Sequence, residues 1–239
     1  MADWLTARPV AHRGLHDAKA GIIENTASAF LAAIAGNYAI ECDLQISADG
    51  EAMVYHDNAL GRLTDGEAPI NALPAADLKR VAFKSTKDRM LTLAELFDLV
   101  SGRVMLLLEL KSQYSSDRRL PERVAKVVAG YPGPVAAMSF DPKQIAALRA
   151  LAPCLRRGLT AQRPGSGERG GYAASYVGDV VAGRPQFLAY RVQDLTSLLP
   201  RFTRTILRLP VLTWTVRTES DRRFAARYAD QIIFEGFLP

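Results

Sequence analysis

Three acidic residues and two histidines stand where an apolar chain has little reason to put charge. In AIECDLQI (39–46) Glu41 and Asp43 alternate with Ile40, Cys42 and Leu44, and in VMLLLELK (104–111) Glu109 and Lys111 close an apolar run. Two-residue periodicity puts Ala39, Glu41, Asp43 and Gln45 on one strand face and Ile40, Cys42, Leu44 and Ile46 on the other. Carboxylates gathered without a cation are costly to bury and raise one another's pKa, so this set implies a counter-charge. An all-oxygen set suits Mg²⁺ or Ca²⁺ rather than zinc, and spacing does not choose between the two. An internal ion-pair cluster with Arg13 and Lys111 is the competing reading of the same residues.

The chain has only three histidines, and two of them end apolar runs, His12 in RPVAH and His56 in EAMVYH. Two imidazoles flanking a reacting centre serve as general acid and general base near neutral pH. Arg13 and Lys111 add cations suited to an anionic substrate group, most naturally phosphate, the one as a planar fork and the other as a point charge. His16 falls outside this pattern and reads as a structural or substrate-facing loop residue.

These residues need elements that bring them together. Apolar runs at 8–12, 39–46, 51–56, 104–110, 134–140, 154–160, 186–190, 211–216 and 231–234 read as strands. Helical patterns lie between most of them: TASAFLAAIAG, TLAELFDLV, LPERVAKVVAG, PKQIAALRAL, segments near 172–183 and 194–206, and ESDRRFAARYA. Strand–helix alternation in a 239-residue chain points to an α/β fold, a (β/α)8 barrel with a parallel sheet. The runs at 39–46 and 51–56 are too close for a parallel crossover, so SADG must be a hairpin turn with Asp49-Gly50 as its signal. Removing that return strand leaves eight parallel strands and sets His56 roughly opposite residues 41–43.

Composition restricts the alternatives. Cys42 and Cys154 are far apart and lack metal-type spacing, which fits a reducing cytoplasm, and no stretch reaches the roughly 18 apolar residues of a membrane span. The start of the chain lacks the pattern of an export signal. A net charge of +5, with most arginines after residue 100, reads as a solvated basic surface or as attraction to anionic substrates and membrane surfaces. Nothing resembles the aromatic-interleaved basic run of a single-strand nucleic-acid groove.

HRG at 12–14, EN at 24–25, ECD at 41–43, HD at 56–57, ELK at 109–111, SF at 139–140 and WTV at 214–216 occur in the order seen in the glycerophosphodiester phosphodiesterase family, which the chain resembles along essentially its whole length. The resemblance implies a TIM barrel of the phosphatidylinositol-phospholipase-C type. It further implies a divalent metal, Mg²⁺ or Ca²⁺, on Glu41, Asp43 and Glu109, acid–base catalysis by His12 and His56, and phosphate contacts from Arg13 and Lys111. Glu24, Asn25 and Trp214 match positions beside the metal or the glycerol. Competing readings are a helix start for Glu24-Asn25 and a core position for Trp214. The implied reaction is hydrolysis of a glycerophosphodiester to glycerol 3-phosphate and an alcohol.

Residues 58–90 read as a small insertion capping one side of the pocket, within a single domain spanning 1–239. PGSGERGG (164–171) does not fit the Walker or Rossmann spacing and reads as a loop on the catalytic face. Two departures from the family pattern stand out. Arg217 occupies a position where the family often has Asn, and IIFEGFLP places Glu235 near the acidic position of an Ile-Ile-Thr-Asp-like segment. The other functions weighed are a lysophospholipase D-like phosphodiesterase, a metal-dependent sugar isomerase and a non-catalytic barrel binding anionic head groups. The expected partners are a small-molecule glycerophosphodiester and weak membrane-surface contact, on a monomer or homodimer.

Overall fold

The computed structural model describes residues 3–163 and 177–239, and its strands fall where side-chain alternation placed them. In chain order the elements are β1 (Val10–Ala11), α1 (Ala27–Ala35), β2 (Ala39–Ile46), β3 (Ala52–Val54), α2 (Ala75–Leu78), α3 (Leu93–Val100), β4 (Leu106–Leu110) and α4 (Arg119–Val128). There follow β5 (Val135–Ser139), α5 (Pro142–Leu151), β6 (Arg156–Ala161), α6 (Val177–Gly183), β7 (Phe187–Arg191), α7 (Leu198–Thr205), β8 (Val211–Val216), α8 (Glu219–Tyr228) and β9 (Gln231–Phe234). All but β3 pair in parallel, in the order β1, β9, β8, β7, β6, β5, β4, β2, and β2 pairs back to β1. The sheet therefore closes into an eight-stranded (β/α)8 barrel, and closure leaves no unpaired edge.

Strand β3 runs antiparallel on the second half of β2, with Leu44 opposite Val54 and Ile46 opposite Ala52. Between them the chain reverses at Gly50, whose φ of 82° is left-handed backbone that glycine adopts without a Cβ penalty. Tyr55 N–H donates to the Asp43 carbonyl, so the register carries on to bring His56 opposite Cys42.

The two faces of β2 separate as the alternation requires. Ile40, Cys42 and Leu44 pack in the layer between barrel and helices with Phe30, Leu96 and Leu108. Ala39 faces the lumen with Val10, Leu107, Met138, Phe187, Leu212 and Ile233. Leu5 is wholly buried in that lumen cluster, and Asp3 pairs with Arg156 beside it. Full burial of each large aliphatic side chain contributes about 1.5–3 kcal/mol, so the apolar lumen anchors the charged layer above it. Gly158 makes room for one of these side chains: a Cβ there would sit 2.2 Å from the Phe187 ring.

β1 is shorter than the run 8–12 because the chain turns sharply after His12, with positive φ at both Arg13 (55°) and Gly14 (79°). Residues 58–90 bury Leu60, Ile70, Leu78, Phe83 and Met90 against Met53 and Tyr55, a satellite core of their own. No residue of 58–90 lines the cavity bounded by His12 and His56, and the segment reaches the charged residues through Arg62, which bonds Asp57 and Glu24. The glycine-rich run 164–171 and the first part of the helix expected near 172–183 lie outside the described residues. No helix among the described residues is long and apolar enough to cross a membrane.

Candidate active site

The charged residues converge where β1 and β9 end, beside Glu41 and Asp43 in the middle of β2 and Glu109 near the end of β4. Asp43 on β2 stands directly in register with Glu109 on β4, and the β1–β2 register places His12 level with Glu41. Glu41, Asp43 and Glu109 are all buried, and each offers an oxygen within 4.8 Å of the others. Among the described residues this is the all-carboxylate cluster with the spacing of a metal site.

Each carboxylate has a different environment. Burial, with the neighbouring charges of Asp43 and Glu109, pushes the Glu41 carboxyl well above its ordinary value. Its Oε2 accepts from the Arg13 backbone N–H at 2.8 Å, while its Oε1 is buried with no hydrogen-bond partner. Burial also works against the charged form of Asp43, but Lys111 and Arg13 outweigh it and hold that carboxyl far below the usual range. Lys111 Nζ lies 2.8 Å from Asp43 Oδ1 and 2.6 Å from Glu109 Oε1, and Arg13 Nε lies 3.3 Å from Asp43 Oδ2. The ion-pair cluster with Arg13 and Lys111 is thus present, and it leaves Glu41 Oε1 over as a lone acceptor. An orphaned buried acceptor inside an all-oxygen set is what a hard divalent cation would satisfy.

Asn25 belongs to this layer rather than to a helix cap. Its Nδ2 donates to Asp43 Oδ2 at 2.9 Å and its Oδ1 accepts from Asp43 N–H at 3.2 Å. With φ of 58° its backbone N–H donates to the Arg13 carbonyl, tying the two left-handed turns together. Thr26 is the residue before α1, and its hydroxyl donates to the Ile23 carbonyl instead of capping the helix. Glu24 accepts from Arg13 Nη1 at 2.6 Å and from Arg62 Nη2 at 2.7 Å. In the HRG turn, a Cβ on Gly14 would come within 2.9 Å of the Ala29 backbone, so any side chain there would displace the segment carrying Arg13.

Both histidines are oriented by a carboxylate on Nδ1. His12 Nδ1 lies 2.5 Å from Glu235 Oε2, with His12 Nε2 4.0 Å from Glu41 Oε2. His56 Nδ1 lies 2.7 Å from Asp57 Oδ1. Each of those carboxylates is gripped in turn by an arginine, Glu235 by Arg217 at 2.7 Å and Asp57 by Arg62 at 2.6 Å. Such pairing leaves each Nε2 for proton transfer. Burial lowers the His56 pKa against the opposing pull of Asp43, which keeps its imidazole neutral at neutral pH. Burial raises the Glu235 carboxyl, but the hydrogen bond to His12, the nearby His16 and the charge of Arg217 more than reverse this and keep it ionised.

An open cavity of about 350 Å³ lies over this layer, and His12, Arg13, Glu41, His56, Glu109 and Lys111 all line it. Its far wall includes Phe140, Trp214, Arg191 and Arg217. Trp214 meets Phe140 edge-to-face at 5.3 Å and donates from Nε1 to the Ala189 carbonyl, so it is at once a packed residue and a cavity wall. Every expected site residue except Glu24, Asp43 and Asn25 lines the cavity, and those three bond to residues that do, Glu24 and the Asn25 backbone to Arg13 and Asp43 to Lys111.

The sequence marks Glu235 and Arg217 only as departures from the family pattern beside the pocket, not as partners of His12, and it gives no role to Asp57, Arg62 or Gln45. Gln45 Nε2 donates to the His56 carbonyl at 3.0 Å and to Asn58 Oδ1 at 3.1 Å, fixing the loop that presents His56. His16 Nε2 stands 3.6 Å from Glu235, at the margin of the site.

The model of the glycerophosphoryl diester phosphodiesterase family matches residues 12–235, a span that begins at His12 and ends at its partner Glu235. A glycerophosphodiester phosphodiesterase of Caldanaerobacter subterraneus subsp. tengcongensis is 31% identical over 163 residues, which span 64% of this chain and 66% of that relative. The fold is shared with a phosphodiesterase from Oleispira antarctica solved in complex with the product sn-glycerol-3-phosphate, at 22% identity, a TM-score of 0.79 and 95% and 91% of the two chains covered. It is shared as well with glycerophosphodiester phosphodiesterase from Thermotoga maritima, at 23% identity, a TM-score of 0.71 and 95% and 94% covered. With nearly the full length matched and the motif residues gathered in one cavity, the chain belongs to the glycerophosphoryl diester phosphodiesterase family.

Proposed function

We propose that the protein is a phosphoric diester hydrolase that cleaves glycerophosphodiesters to glycerol 3-phosphate and an alcohol, acting as one barrel domain with a small insertion at 58–90. The observation that carries this reading is the placement of two carboxylate-tethered histidines, His12 and His56, in the cavity that also holds Glu41, Glu109, Arg13 and Lys111. A phosphodiester is a hindered anion, so cleavage needs its charge neutralised, the attacking oxygen deprotonated and the leaving oxygen protonated.

The side chains divide those tasks. Arg13 and Lys111 orient the phosphate and offset its charge. One imidazole Nε2 removes the proton from the attacking hydroxyl as the new P–O bond forms, and the other donates a proton to the leaving alkoxide as the old P–O bond breaks. By analogy with related phospholipases the first nucleophile is the glycerol 2-hydroxyl, and water then opens the cyclic phosphate with the two histidines exchanging roles. Glu235 and Asp57 hold their imidazoles in the tautomer that presents Nε2 to the cavity. Glu41, Asp43 and Glu109 would hold Mg²⁺ or Ca²⁺, which when bound supplies Lewis-acid stabilisation of the phosphate and acidifies the attacking hydroxyl. Trp214 and Phe140 form the apolar wall against which the glycerol backbone rests. Both cysteines are free thiols, which accords with a reducing, cytoplasmic setting.

The test is release of glycerol 3-phosphate from several glycerophosphodiesters with Mg²⁺, with Ca²⁺ and with a chelator. His12→Ala and His56→Ala should each lower kcat by roughly 10²–10⁴-fold with the fold intact. Turnover at the parental rate by both variants would remove this site from the reaction. Binding of substrate without release would instead favour a head-group-binding barrel.

A further inference from the structure

The helix α7 presents an apolar face to solvent that packing does not explain. Leu198 is 82% exposed, Phe202 50% and Ile206 65%, and the i, i+4, i+8 spacing puts all three on one stripe with Leu199 and Leu207 beside it. The opposite face is seated normally, since Pro200 and Thr203 are buried, as is Leu195 just before the helix. Residues 195–218 contain no acidic residue, while Arg201, Arg204 and Arg208 interleave with the stripe. Arg204 pairs with Asp230 and donates to the Arg227 carbonyl, joining α7 to α8, where the exposed Arg223 and Arg227 add positive charge while Arg222 pairs with Glu219.

We infer that this face is an interfacial docking surface for a bilayer bearing anionic lipids. Interleaved aliphatic, aromatic and arginine side chains on a short helix are the pattern of a segment lying in the headgroup plane, where apolar insertion and attraction to anionic lipid act together. A second copy of the chain fits less well, because an isologous contact sets each patch against itself and would bring the arginines of one face against their counterparts. The location suits a membrane-derived substrate. α7 follows directly on the segment carrying Arg191 and Gln193, both of which line the catalytic cavity, so its exposed Leu198 end lies on the catalytic side of the barrel. This inference rests on the proposed phosphodiesterase reading only for the value of that location; the surface itself stands without it.

The test is co-sedimentation of the full chain with vesicles of phosphatidylcholine alone or with about one-third phosphatidylglycerol. Binding is expected to the anionic vesicles and to weaken with salt. The double variant Phe202→Glu, Ile206→Glu should reduce it by about tenfold or more, with turnover of a soluble glycerophosphodiester unchanged. Failure to bind anionic vesicles would overturn the inference, as would equal binding by the variant. A dimer in light scattering that the same variant dissociates would show instead that a second copy covers the face. Loss of turnover in the parent protein would count against the phosphodiesterase reading and leave the vesicle result to decide the surface.

Discussion

His12 Nδ1 and Glu235 Oε2 lie 2.5 Å apart, joining the ends of the first and last barrel strands. Closure of the sheet causes this, because Ala11 on β1 is in register with Phe234 on β9 and each strand delivers its next residue to one place. The other Glu235 oxygen takes the Arg217 guanidinium, so two departures from the family pattern form a single device behind the His12 imidazole.

Glu235→Gln keeps the size of the side chain but removes its charge. With Gln the ionised acceptor on His12 Nδ1 is gone, and kcat should fall by roughly 10- to 100-fold. KM should change little, since Glu235 does not contact the phosphate in the proposed arrangement. Steady-state kinetics decide it: a rise in KM at constant kcat would make Glu235 a substrate contact rather than a positioning residue.

Much of this site is legible in the chain because strand alternation is a strict two-residue code. Glu41 and Asp43 must face where Ala39 faces, and Ala39 lies in the lumen. The hairpin at Asp49-Gly50 was legible because SADG is too short for anything else. Glu235 was harder, because its role follows from a register between strands more than two hundred residues apart, although a closed barrel requires the last strand to lie beside the first. Asp57, Arg62 and Gln45 were hidden for another reason. Alternation puts Gln45 on the charged face of β2, but its partners, like the contacts of Asp57 with Arg62, are set by side-chain reach into the irregular chain after β3, for which no periodicity exists.

Metal should stabilise the folded chain through Glu41. Its carboxyl is held above the ordinary value, so the folded state keeps a proton that the unfolded state releases, and metal-free stability should fall as pH rises above about 4.3. Glu41→Gln removes that cost. At neutral pH the metal-free variant should melt at or above the metal-free parent, and Mg²⁺ or Ca²⁺ should raise the melting temperature of the parent alone. Thermal melts with and without chelator check this, and a parent indifferent to both ions would leave the cluster a purely structural one.

Lys111 is the buried cation that balances Asp43 and Glu109. Burial lowers its pKa, but the two carboxylates more than compensate and keep it charged. Lys111→Met would leave those carboxylates facing each other, at a cost of about 3–5 kcal/mol in the absence of metal. The same variant should bind phosphate esters more weakly and show a larger stabilisation by divalent cation than the parent. Denaturant unfolding with and without metal measures both effects, and an unchanged midpoint without metal would show that Lys111 does not balance the cluster.

Asn25 combines a backbone and a side-chain task that two substitutions separate. Its φ of 58° favours glycine over alanine, while its amide makes two hydrogen bonds to Asp43. Asn25→Gly keeps the turn and loses the bonds, and Asn25→Ala loses the bonds and strains the turn. Both should lower activity, because Asp43 is then free to rotate away from Glu41 and Glu109. The alanine variant should be less stable than the glycine variant by about 1 kcal/mol, the cost of left-handed backbone for a residue with a Cβ. Chemical unfolding gives that difference directly, and equal stability of the two would mean that the turn relaxes and the side-chain bonds alone hold Asp43.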